Sequence, residues 1–189
     1  MIFVHIPGCS DDSIKTEGYT KNWFVADSFS FGVEREMKES GEKGGTSDMN
    51  IGVGELQECS ITKSMDWAST RLCQLAINGN SPGGCEINFV EVAHGGSGIG
   101  DAKPYCYLKY KLDRCFVKSW STSGDADDRP TEEVSFYYNK IAFNYAKTSD
   151  GVEWKDCDMV MAWDNTEQKK WDKHGLTYDA KKGFGVLTS

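Results

Sequence analysis

The sequence predicts an all-β domain with a single short α-helix, and three observations carry that prediction. Apolar residues recur with period two through several long segments, which marks strands with a buried face. Only one stretch carries both a helix start and a helix stop. Several strands also bear apolar residues on both faces, which suits a closed barrel or a sheet covered by a partner. Six to eight strands and one helical plug are expected, with no βαβ alternation.

In Asn22–Glu34 the odd positions Trp23, Val25, Asp27, Phe29, Phe31 and Val33 alternate with small or polar residues. That spacing predicts one strand with one buried face. The helix follows: Ser69 is the expected N-cap, Leu72, Leu75 and Ala76 share a face, and Gly79 is the C′ residue. In Tyr105–Lys111 the even positions Cys106, Leu108 and Tyr110 continue to Leu112, while Lys109 and Lys111 face the other way. The apolar phase then slips to Cys115 and Val117, which predicts a bulge near Asp113–Arg114. Glu133–Lys147 slips likewise, from Val134, Phe136 and Tyr138 to Ile141, Phe143 and Tyr145. The polar, Gly-rich Met37–Asn50, the Gly-rich His94–Lys103 and the acidic Ser121–Arg129 read as loops. After Trp171 the periodicity fades, so 172–189 is expected to be an extension that buries little.

Length and composition narrow the function. A chain of 189 residues and 21.0 kDa is one domain, and 39% hydrophobic residues exclude disorder. No run approaches the roughly 18–20 apolar residues of a membrane helix. The opening MIFVHIPG lacks a basic region before its apolar residues, so no secretory signal is expected. A net charge of −8 argues against phosphate-backbone binding. The seven cysteines are odd in number, and the closest successive pair, Cys106 and Cys115, is nine residues apart. No zinc-knuckle spacing occurs, and the cysteines are expected to be reduced thiols, several of them in the core.

Candidate chemistry is thin. His94–Gly100 (HGGSGIG) runs into Asp101–Pro104 and a strand rather than opening a helix, so it reads as a hairpin connection, not a dinucleotide loop. It also leaves no separate G-x-S-x-G elbow. His5, His94 and His174 are scattered among the seven cysteines and point to no nucleophile. Asp125, Asp127 and Asp128 lack the Gly and distal Glu of an EF-hand. Trp23, Tyr110 and Tyr138 are in phase with core residues; Trp154, Trp163 and Trp171 stay open as a carbohydrate face. No catalytic residue, metal or cofactor is expected. The alternatives are a ligand- or carbohydrate-binding β-sandwich, or an enzyme using the His94 loop.

Two segments go beyond composition: Trp23-Phe24-Val25 followed by Ser28-Phe29-Ser30-Phe31-Gly32-Val33, and Ser119–Tyr145 with Arg129-Pro130-Thr131-Glu132 inside it. Leu56–Lys63 ending in Ile61-Thr62-Lys63, Asp66 with Ala68-Ser69 and Leu72, and Ala162-Trp163-Asp164 follow in order. Together they resemble the haemolysin-coregulated protein (Hcp) family, the inner-tube proteins of type VI secretion systems. The resemblance covers about 1–171, departing in the cysteine number, the His94–Lys103 loop and the tail. It implies a β-barrel of two antiparallel sheets with one helix, Hcp-like and phage tail-tube-like, assembling as a hexameric ring. It implies stacking of rings through Glu39, Ser40, Gly41, Glu42, Lys43, Gly44, Gly45, Thr46 and Ser47. Its implied partners are further copies of the chain, the sheath, baseplate and spike proteins of the apparatus, and small effectors in the lumen, with no nucleic acid and no membrane insertion. Assembly in the cytoplasm and export without a signal peptide are the implied route. The domain expectation is a tube domain at 1–171 and an extension at 172–189.

Overall fold

Period two becomes strand pairing along most of the chain. The computed structural model describes residues 1–39, 49–94, 102–148, 154–157, 159–179 and 183–184. In chain order the elements are β1 (Ile2–His5), β2 (Trp23–Ala26), β3 (Ser28–Ser30), β4 (Val33–Glu39), β5 (Met49–Leu56), β6 (Cys59–Ser64), α1 (Ser69–Asn78), β7 (Gly83–His94) and β8 (Ala102–Ser123). They continue with β9 (Thr131–Tyr137), β10 (Lys140–Thr148), β11 (Trp154–Asp156), β12 (Met161–Asp164), β13 (Lys169–Lys170), β14 (Tyr178–Asp179) and β15 (Gly183–Phe184).

Two antiparallel layers emerge from the pairings. The larger runs β13-β12-β10-β8-β7-β1-β2, and the smaller runs β8-β9-β6-β3. β8 belongs to both: Leu108–Asp113 pairs with β10, whereas Phe116–Ser123 pairs with β9. The chain turns between the layers at Asp113–Cys115, where Arg114 takes φ 50° and the β7–β8 register shifts. This is the bulge that the phase slip predicted. β9 and β10 track β8 round the same corner, and the Asn139 N–H donates to the Asp113 carbonyl at 3.1 Å. At the opposite corner β2 passes into β3 through Asp27, whose N–H donates to the Thr62 carbonyl of β6 at 2.8 Å. The shared strand β8 joins the two layers at one corner, and the chain passing through Asp27 joins them at the other.

Val4, Phe24, Ile61, Leu72, Leu112, Val134, Phe136 and Ile141 fill the space between the layers. α1 closes this core with Leu72 and Leu75 and stops at Gly79, which takes φ 63°. Its start departs from expectation. Ala68, not Ser69, occupies the cap position, and Ser69 is the first helical residue. The turn before it is held by Asp66 Oδ1, which accepts the Ala68 N–H at 2.8 Å, so the capping oxygen comes from outside the helix.

A second core lies on the outer face of the larger sheet. Phe3, Ile14, Tyr19, Trp23, Val90, Tyr105, Cys106, Ala146 and Phe184 pack there. This divides the single apolar face expected for Asn22–Glu34: Trp23 faces outward under Tyr19, while Phe29 lies with the inner core. The bend at Asp27 exchanges the faces. A second bulge, between Phe89 and Val90 opposite Tyr107, likewise turns Cys106 onto the outer face, away from Leu108 and Tyr110. The expectation that the segment after Trp171 buries little is corrected at Leu176 and Phe184, which are buried, and at Tyr178, whose hydroxyl is 2.8 Å from that of Tyr105.

The cysteines are free thiols, five of them buried. Burial pushes Cys9, Cys59 and Cys106 up to about 12, and Cys85 rises too, through its contact with the Cys115 thiol and through burial. Protonated, enclosed thiols are poor nucleophiles. A reductant is therefore expected to leave the melting temperature unchanged. An aromatic disulfide reagent at pH 7.5 should modify exposed Cys157 first. A shift of several degrees on reduction would contradict this assignment.

Candidate assembly surfaces

The smaller sheet turns a face of hydroxyl groups to solvent. Its strands read Ser28-Phe29-Ser30, Cys59-Ser60-Ile61-Thr62-Lys63-Ser64, Thr131–Tyr137 and Phe116–Ser123, so alternate residues point away from the core. Register lines them up in rows. Ser30, Ser60, Ser135 and Ser119 lie opposite one another across four strands, and Ser28, Thr62, Glu133 and Ser121 form the next row. Ser64, Thr131 and Ser123 form a third. The hydroxyls of Ser28 and Thr62, Ser30 and Ser60, and Ser119 and Ser135 are each 2.6 Å apart. Cross-strand hydroxyl pairs support a sheet, and here they leave a surface of low charge, with Glu133 within it and the exposed Lys118–Glu58 ion pair beside it.

Behind that face sits a buried ion cluster. Lys63 Nζ lies 2.8 Å from Glu132 Oε1 and 2.7 Å from Asp66 Oδ1, and donates to the Ser64 carbonyl at 2.9 Å. Trp120 Nε1 donates to Glu132 Oε2 at 2.9 Å. Lys63 is 1% exposed and lies opposite Glu132 in the β6–β9 register. Burial raises the Asp66 carboxyl, while the Lys63 ammonium works against the rise. The cluster ties the hydroxyl sheet to the start of α1.

The inner core opens beside β3 as an aromatic patch. Phe29, Phe31, Phe89, Tyr110 and Phe143 meet edge to face or tilted, with Phe29 and Tyr110 at 4.7 Å and Tyr110 and Phe143 at 4.9 Å. Tyr107 and exposed Tyr145 extend the patch outward. Past Phe31, β4 and β5 form a separate two-stranded sheet, and the groove at its base holds about 660 Å³. Val33, Leu56, Met159, Met161 and Trp163 line the groove, with Arg35 and Lys170 beside them. Val33 is 57% and Met159 77% exposed.

The residues singled out from sequence distribute as follows. Trp23 is buried in the outer core, Ser28 and Ser30 lie on the hydroxyl face, and Phe29 and Phe31 are in the aromatic patch. The Gly32 carbonyl accepts the Gln57 N–H at 2.9 Å, and Val33 and Trp163 line the groove. Lys63 and Glu132 form the ion cluster. Arg129 is exposed, the Pro130 carbonyl accepts the Met65 N–H at 2.9 Å, and Thr131 stands at the edge of the hydroxyl face. Asp164 closes a turn through Oδ1, which accepts the Thr166 and Glu167 N–H groups, and pairs with Lys140 at 3.0 Å. Glu39 ends β4; Ser40, Gly41, Glu42, Lys43, Gly44, Gly45, Thr46 and Ser47 lie outside the described residues.

Sequence reasoning missed Ser60, Thr62, Ser119, Ser121 and Ser135. Their signal was visible as Ser and Thr at alternate places in C-S-I-T-K-S and S-W-S-T-S. His94 pairs with Ala102 across the end of a β-hairpin, consistent with a hairpin connection. Asp125 accepts the backbone N–H groups of Asp127 and Asp128, each at 3.2 Å, which ties its carboxylate to its own loop. Among the described residues no group of three or more metal-binding side chains converges, and no helix is long and apolar enough to cross a membrane.

Solved structures share this architecture. The one described as "Structure of a type six secretion system protein" aligns with a TM-score of 0.74 at 23% identity, over 90% of this chain and 98% of its own. Hcp1 from Salmonella typhimurium aligns at 0.61 and 19%, over 90% and 97%. A type VI secretion system effector from Yersinia pestis aligns at 0.58 and 18%, over 84% and 100%. These likenesses define the class by fold, the two-layer β-domain of type VI secretion proteins. No curated protein matches by sequence. The family model described as "Type VI secretion system effector, Hcp" matches residues 3–145, and the chain belongs to the Hcp family. It is a type VI secretion tube and effector protein of a secreted, structural, self-assembling kind.

Proposed function

We propose that the chain forms hexameric rings that stack into the inner tube of a type VI apparatus, with the hydroxyl face of the smaller sheet lining the lumen. The observation that carries this reading is that face. Its small, paired hydroxyls make a wetted wall of low charge, suited to letting folded effectors pass without sticking. The edges of the same sheet support the ring. β3 pairs only with β6 among the described residues, and β8 forms the opposite edge. Pairing one subunit's β3 with its neighbour's β8 would leave no open edge around the ring. The aromatic patch and the groove beside β4 are surfaces that subunit contacts would bury. A ring of six 21.0 kDa chains has a mass of six times 21.0, or about 126 kDa. Light scattering is expected to give that mass, and electron microscopy to show rings; a monodisperse single chain at micromolar concentration would overturn the reading.

Stacking is assigned to Glu39–Ser47, at the end of the β4–β5 arm. An isolated two-stranded sheet is marginally stable alone, which suits an arm that docks on another ring. Deleting the segment should leave rings and abolish tubes; monomers or insoluble protein would place it in the lateral contact instead. The tube domain is 1–171 and the extension 172–189, of which Leu176, Tyr178 and Phe184 pack on the larger sheet. The ring's further partners are the sheath, baseplate and spike proteins, and small effectors in its lumen. Assembly is cytoplasmic, and export runs through the apparatus. No catalytic role is assigned.

A further inference from the structure

The groove at the base of the β4–β5 arm leaves apolar surface open to water beside two positive charges. Exposed Val33 and Met159 flank it, and Lys170 stands at its side. The Arg35 guanidinium lies over Gly54 in the same wall, where an added Cβ would be 3.5 Å from Nη2. A surface complementary to this groove is apolar and edged with negative charge.

The end of α1 has that character. Ile77 in its last turn is 74% exposed. The Gly79 N–H donates to the Leu75 carbonyl at 3.0 Å, and the carbonyls of Ala76, Ile77 and Asn78 have no partner within the helix. The last turn carries no basic residue, so nothing on the helix offsets the partial negative charge of its C-terminus.

Topology turns the two surfaces towards each other in neighbouring copies. Paired strands of the smaller sheet alternate in direction, so β3 and β9 run one way and β6 and β8 the other. β3 of one copy, laid on the Phe116–Ser123 edge of the next, is therefore antiparallel to it. The chain that leaves β3 for Val33 then runs towards the start of that edge, at Cys115. α1 ends at the same place: it packs on β8, and Ser81 Oγ, two residues past Gly79, donates to the Cys115 carbonyl at 2.8 Å. Both surfaces also lie on the core side of the smaller sheet, away from the hydroxyl face. Leu72 and Leu75 of α1 belong to the inner core, and Leu56, Met161 and Trp163 of the groove pack against it.

We infer that the groove beside β4 receives the last turn of α1 from the next copy of the chain, with Ile77 in the groove and Arg35 and Lys170 at the helix carbonyls. One patch meets a different one, so the contact repeats head to tail and closes with the ring. The inference rests on the ring reading above and specifies its lateral contact.

Cross-linking tests the contact directly. Val33→Cys and Ile77→Cys are combined in a full-length chain whose accessible native thiols are removed by Cys73→Ser and Cys157→Ser. A short bismaleimide should give a ladder of linked chains ending at six, while either new cysteine alone should give single chains. Ile77→Lys supplies a second measurement. A lysine suits the exposed last turn of the subunit's own helix, so the chain should keep its melting temperature. In the contact it meets Arg35 and Lys170, and rings should dissociate at an about tenfold higher concentration. Adding Arg35→Glu should recover part of that loss. Rings that persist with no ladder, a ladder from either cysteine alone, or an Ile77→Lys ring as tight as the wild type would overturn the inference and leave the ring reading standing. Single chains of the wild-type protein would overturn both.

Discussion

Replacing Lys63 with Met should destabilise the protein by about 3–5 kcal/mol, because it leaves the buried Glu132 and Asp66 carboxylates without their shared cation. For a chain of this size that is a fall in melting temperature of roughly 6–20 °C, measurable by calorimetry. Packing alone does not account for it: Met nearly fills the volume and keeps contact with the Phe24 ring, over which the ammonium lies at 5.6 Å. The double variant Lys63→Met, Glu132→Gln should recover part of the loss, since the amide still accepts from Trp120 and no charge is stranded at that site. The deficit should also narrow as the pH falls towards 5. Asp66 is raised by burial and held back by Lys63, so in the variant it rises further and takes up a proton. A loss below about 1 kcal/mol, or an equal loss in the double variant, would show that the cluster is not a unit.

Phe184→Ala should cost about 3–5 kcal/mol although it lies only five residues before Ser189. The ring is 1% exposed, with Tyr178 at 5.1 Å, and its removal opens the outer core above Trp23. Chemical denaturation measures the loss, and light scattering asks separately whether rings persist. The expected result is lower stability with ring mass unchanged, because the mutated surface lies on the opposite side of the larger sheet from the inner core and the hydroxyl sheet. Loss of rings without loss of subunit stability would instead place the tail in the subunit contact. Truncation after Trp171 removes Leu176 and Phe184 together and should reproduce the stability loss, again with rings retained.

These two sites differ in how legible they were. Lys63 and Glu132 were singled out only by resemblance; nothing local in Ile61-Thr62-Lys63 or Arg129-Pro130-Thr131-Glu132 says that the two side chains meet. Their contact is long-range in sequence and arises from the β6–β9 register. Phe184 could not be placed from sequence because strands of two residues, β14 and β15, are too short to show a period.

Local sequence patterns were enough to set the class of the fold. Alternation in Tyr105–Val117 specified a strand, and its phase slip specified the bulge at Asp113–Arg114, because a one-residue insertion in a period-two pattern necessarily exchanges the faces. The spacing of Leu72 and Leu75 and the stop residue Gly79 placed the helix. The order of the motifs placed the chain beside the Hcp family, in which the family model places it. Tertiary structure alone decided which face of each strand meets which layer. Trp23 and Cys106 left their expected neighbours because Asp27 and the bulge opposite Tyr107 turn the chain between faces, and nothing local distinguishes Lys109, buried and paired with Glu86, from an exposed lysine. Alternation records that neighbouring residues have different surroundings. Whether those surroundings are water, a second sheet or a packed tail residue depends on segments far away in the chain, and only packing brings them together.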